Sequence, residues 1–138
     1  MSGTQRAFGR NVIDTMDAER TPTAHEWRTK AMVELERVTS AERRFSQSIT
    51  LNNEVNMLAE ADELQAATRD ATVWRLANPC PDAKLGTHVA WMLTTCMEVA
   101  LTAQRALTDR SADIDEAMGR LGLLLAVIDF HSQTLDAW

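Results

Sequence analysis

The stretch Ser48–Met57, SITLNNEVNM, decides how this chain folds. Upstream of it, starting at Trp27, apolar residues recur at Ala31, Leu35, Val38, Ala41, Phe45 and Ile49, the spacing of one buried face of an α-helix. Continued in the same phase, that stripe lands on Asn52, Asn56, Glu60 and Glu63, and the face becomes polar. A second stripe starts in a different phase: Met57, Ala61, Leu64, Ala67, Ala71 and Trp74. The changeover falls at TLNNE, where Asn52 or Asn53 suits the left-handed backbone conformation that a chain reversal needs. The phase shift therefore predicts two helices in place of one. The competing reading keeps 23–77 as a single helix of about 80 Å that pairs with a neighbouring subunit.

Working outward, the ends of these helices are marked. Thr23 followed by Glu26 forms a capping box, and no glycine or proline interrupts the chain until NPCP at 78–81. Asp82 is the expected cap of a third helix running to about 108. Ser111 is the expected cap of a fourth, whose first turn carries Asp113, Asp115 and Glu116 at the positive end of the helix dipole and which runs to about 136. Four near-equal helices with short connections specify an all-α, antiparallel four-helix bundle, up-down-up-down, over residues 22–138. Residues 1–21 form an N-terminal segment in which Phe8, Val12 and Met16 have the spacing of a short fifth helix.

Composition agrees. The 138 residues are enough for one domain with a sizeable core, and few glycines and prolines with no tyrosine favour helix over sheet. A net charge of −6, with acids and bases interleaved, leaves no basic stripe for phosphates, so direct nucleic-acid binding is disfavoured. Twelve of the fourteen basic residues are arginine, a bias that suggests a GC-rich bacterial or phage source. The N-terminus lacks an apolar stretch of signal-peptide length, which predicts a cytoplasmic protein, and Cys80 and Cys96 are expected to stay reduced and unpaired.

The run GRLGLLLAVIDFH, Gly119–His131, is too short and too closely flanked by Arg120 and Asp129 to cross a membrane. On a helix, Ile114, Met118, Leu121, Leu125, Ile128 and Leu135 make one apolar stripe, while Leu123, Leu124, Val127 and Phe130 cover much of the remaining circumference. One reading makes this the best-buried helix of a monomer. The other, which we favour, places Leu123, Val127 and Phe130 in a subunit contact, with Gly119 and Gly122 letting a second backbone approach. Trp91, on the same general side of its helix as His88, Thr95, Glu98, Thr102 and Arg105, is a further candidate contact residue.

Chemistry is harder to find. The chain has no C-x-x-C, H-E-x-x-H, G-x-S-x-G, Walker or G-x-G-x-x-G motif, and no Glu-x-x-His pair, so no catalytic, cofactor-binding or metal-ligating residue is assigned. The methionines at 32, 57, 92, 97 and 118 read as core filling. A metal-dependent nucleotide hydrolase would draw on Glu60 and Glu63, with Asp62 beside them, together with Glu98 and Asp129 from facing helices. The second acidic pair such a site needs is missing, because Glu98 is followed by Val-Ala-Leu. Asp129 and His131, two residues apart, point about 200° from one another and form no local dyad. The sequence thus favours a protein that acts by protein–protein interaction or self-assembly without a catalytic centre, whose expected partner is a second copy of the chain or another protein. The alternatives are the hydrolase and an acidic antagonist of a basic partner surface.

Overall fold

The computed structural model describes residues 21–109 and 111–138, so the expected N-terminal helix lies outside the described residues. Among these it has four helices: α1 (Ala24–Thr50), α2 (Glu54–Ala77), α3 (Ala83–Thr108) and α4 (Ile114–Ala137). They pack α1 on α2, α2 on α3 and α3 on α4, with α1 touching α3 across the diagonal, as an antiparallel bundle.

The turn is where the phase change puts it. Asn52 has φ 52°, a left-handed value that asparagine tolerates far better than branched residues do. The Asn52 amide donates to the Ile49 carbonyl and the Asn53 amide to the Ser48 carbonyl, both at 3.0 Å, so carbonyls orphaned at the end of α1 are satisfied by a Schellman-type closure. Asn53 then caps α2 by accepting from the Asn56 amide at 3.1 Å. The 23–77 stretch is therefore two helices, joined by three residues.

The other caps follow the sequence with one correction. Thr23 and Glu26 make both bonds of a capping box, and Asp82 accepts from the Leu85 amide. At α4, however, the N-cap is Asp113, which accepts from the Glu116 amide, while Ser111 turns back to bond Asp109 through both its amide and its hydroxyl. Asp109 lies two residues before Ser111 and captures it in a local turn, removing it from the helix start.

The core is built from the expected stripes. Trp27, Ala31, Leu35, Val38, Ala41 and Phe45 of α1 meet Met57, Ala61, Leu64, Ala67 and Ala71 of α2, with Leu85, Val89, Met92, Leu93, Cys96, Val99, Ala100 and Ala103 of α3. At one end, the Trp27 indole donates to the Asn78 carbonyl at 2.7 Å and its ring packs against Trp74, centroids 5.5 Å apart. This bond ties the start of α1 to the α2–α3 turn. In that turn Cys80 comes so near Gly86 that a Cβ there would sit 3.1 Å from the Cys80 Cβ, so any side chain at 86 would push Cys80 aside by a few tenths of an ångström. Both cysteines are free thiols, and burial pushes each thiol's pKa up.

Helix α4 departs from the best-buried reading. Its fully buried residues are Leu121, Ile128 and Leu135, one every seven positions, while Met118, Leu124 and Leu125 are only partly covered and Ile114 is exposed. Such a narrow seam faces essentially one neighbour, α3. No helix among the described residues is long and apolar enough to cross a membrane.

Candidate functional site

The register of α3 against α4 is set by two pairs. His88 Nδ1 lies 3.0 Å from His131 Nδ1, and Arg120 is paired with Glu98. Each pair sums to nearly the same residue total, as antiparallel helices require, which puts Trp91, three residues beyond His88, level with Val127. Trp91 is 57 % exposed, Val127 40 %, Phe130 61 % and Leu123 73 %. All four sequence-selected contact residues therefore stand on the outside of the bundle. Leu123, Val127 and Phe130 follow one another at intervals of four and three and form a ridge along α4. Between Arg120 and Asp129 the helix carries no charged residue on any side.

The histidine pair forms the edge of this surface. Its rings are 5.2 Å apart between centroids, Phe130 and Trp138 stand 6.3 and 6.5 Å from His88, and Phe130 lies 5.2 Å from His131. One ring carries its proton on Nδ1 and donates; the other accepts. Burial, reinforced by the neighbouring His88, holds the His131 pKa below the ordinary imidazole value. Cβ atoms built on Gly119 and Gly122 meet nothing within 4 Å, so neither glycine is required by packing inside the chain.

The carboxylates of the hydrolase reading are taken up separately. Glu60 pairs with Arg44 at 3.0 Å, and Glu63 with Arg37 at 2.8 Å, which also reaches Asp70 at 2.7 Å and holds the Glu63 carboxyl below its usual range. Asp62 accepts from Gln104 at 2.8 Å, Glu98 pairs with Arg120, and Asp129 lines a groove between α1 and α4. Among the described residues, no three of histidine, cysteine, aspartate and glutamate converge in a way that would hold a metal ion.

Two features escape the sequence reading. The meeting of His88 with His131 depends on a register spanning 43 residues, which no local signal in the sequence sets. The other is Glu42. Set in AERRF, it looks solvated, yet it lies between Ala41 and Phe45 at the margin of the α1 stripe and is only 8 % exposed. Compared with known protein families, curated proteins and solved structures, the chain shows no match to any of them.

Proposed function

We propose that this protein works by assembly, pairing with a second copy of itself through the outer face of α4 and the adjoining Trp91. The observation that supports this reading is the uncovered ridge Leu123–Val127–Phe130 on a helix that buries only a narrow seam within its own chain. Isolated exposed apolar residues are ordinary, but a contiguous ridge without charge marks an interaction surface. An antiparallel twofold pairing centred between Ala126 and Val127 lays Phe130 of one copy over Leu123 of the other and sets Ala126 against Val127. Gly119 then adds no bulk beside the contact.

The exposed parts of the four side chains amount to roughly 400 Å² per copy, given about 200 Å² for a whole aromatic side chain. A twofold contact thus removes roughly 800 Å² of apolar surface, about 20 kcal/mol gross, against an association cost of about 4–15 kcal/mol. The flanking polar residues bring the total area toward the ordinary range of stable dimers. In this reading the protein is a cytoplasmic structural or regulatory accessory and the surface has no catalytic task.

Light scattering at two ionic strengths tests the reading against its acidic-antagonist rival. An apolar contact keeps twice the 15.4 kDa chain mass at high salt. A mass of one chain at every concentration would overturn the proposal, and a complex with a basic protein that dissolves on adding salt would favour the rival.

A further inference from the structure

His88 and His131 come from separate helices, α3 and α4, and their Nδ1 atoms lie 3.0 Å apart with the ring centroids at 5.2 Å. The centroid separation is close to that distance plus the reach of each ring from centre to nitrogen, so the two nitrogens are aimed at each other. This is the geometry of an N–H···N hydrogen bond, which holds one proton between two imidazoles. A second proton would set N–H against N–H with no acceptor and bring two positive charges together. At least one ring must then turn away.

The space around the pair belongs to the apolar ridge. Phe130 lies 5.2 Å from His131 and 6.3 Å from His88, and Trp138 stands 6.5 Å from His88. Both histidines are half-buried. A ring that turns away therefore displaces Phe130 or carries a charge into the apolar surface beside it, which is costly. Charged groups on the packed elements are few. Lys84 precedes His88 by one turn on α3, and Asp129 and Asp136 lie to either side of His131 along α4. From α1, Arg28 donates to the carbonyls of Leu135 and Asp136. Arg75 of α2 shares a groove with Thr87 and Ala90 on the α2 side of α3. The lowering of the His131 pKa comes from burial and then from His88, with no part played by these groups.

We infer that the His88–His131 pair is a proton-operated switch on assembly, in which a second proton separates the rings, unseats Phe130 and releases one copy of the chain from the other. The inference rests on the proposed pairing through α4 and gives that surface its regulation. The dimer holds fewer protons than two separate copies, so association is strong above the histidine range and weakens as the pH falls through it. One extra proton per released copy raises the dissociation constant by up to about tenfold per copy for each pH unit below that range. By reciprocity, assembly lowers the affinity of the pair for its second proton.

Sedimentation velocity over a concentration series at pH 7.5 and 5.5, with circular dichroism at each pH, tests the switch. The wild-type dissociation constant should rise at least tenfold at pH 5.5 with helical content unchanged. In His88→Asn and in His131→Asn it should change less than threefold, while His25→Asn, which removes the exposed histidine of α1, should respond as wild type does. A second measurement needs no histidine variant. In an NMR titration of the histidine ring protons, the pair should take its second proton at least half a pH unit higher in Val127→Glu than in the wild-type dimer. A wild-type dimer of equal strength at both pH values, a full response in both pair variants, or equal titration in Val127→Glu and wild type would overturn the switch and leave the assembly reading standing. A wild type that is monomeric at both pH values would overturn both.

Discussion

His88 and His131 face each other through their Nδ1 atoms at 3.0 Å across the α3–α4 seam, a distance that accommodates one shared proton but not two. With the His131 pKa lowered by burial and by its partner, the folded state binds fewer protons here than the unfolded chain does. Stability from this pair is therefore present above the ordinary histidine value of 6.5 and is lost as the pH falls below it. Thermal unfolding of wild type and His88→Asn at pH 7.5 and 5.5 measures this. The wild type should lose more of its melting temperature between the two pH values than the variant does. Equal losses would mean that the pair carries no proton linkage.

Glu42 has the opposite sign. Its folded value of about 6 lies above the ordinary 4.5, so the folded chain holds the extra proton and stability declines as the pH rises from 4.5 through 6. The full shift corresponds to about 2 kcal/mol, and solvent at the groove mouth reduces the expected effect to about 1 kcal/mol. Urea unfolding should show Glu42→Gln more stable than wild type by that amount at pH 7.5, with the difference vanishing at pH 4.5. A variant less stable than wild type at pH 7.5 would show that the carboxylate has a stabilising partner after all.

At the α1–α2 turn, Asn52→Gly should be neutral or slightly stabilising, whereas Asn52→Val should cost about 1–2 kcal/mol because a branched side chain clashes at φ 52°. Denaturant midpoints of the two variants check this directly. The contrast matters because a continuous 23–77 helix would reverse it, with glycine the costlier substitution.

How far the sequence carried the fold can be seen at Asn52. The stripe ending at Ile49 and the stripe beginning at Met57 cannot share one face, and the bond from the Asn53 amide to Ser48 is the structural form of that conflict. The Thr23–Glu26 box and the Asp82 cap were equally legible, since capping acts over three residues. Ser111 was misplaced because two capping residues lie within one turn and Asp109 decides between them. Along α4 the surplus of apolar residues was visible, but not that Ile114 would be exposed and Leu125 only partly buried, because the sequence gives no account of how loosely α1 approaches α4. Glu42 was hidden for the same reason. Its neighbours Arg43 and Arg44 are exposed, and only the packing of α4 and α3 over α1 distinguishes it from them.

Sedimentation velocity of Val127→Glu beside wild type, with helical content followed by circular dichroism, tests the assembly reading most directly. Wild type should sediment as a dimer and Val127→Glu as a fully helical monomer, because the charge enters a contact between copies and leaves the core intact. Leu121→Glu, placed in the buried seam that Leu125 only partly joins, should instead lose the fold through an unpaired buried charge. A wild type that sediments as a monomer, with Val127→Glu unchanged in mass, would contradict the account.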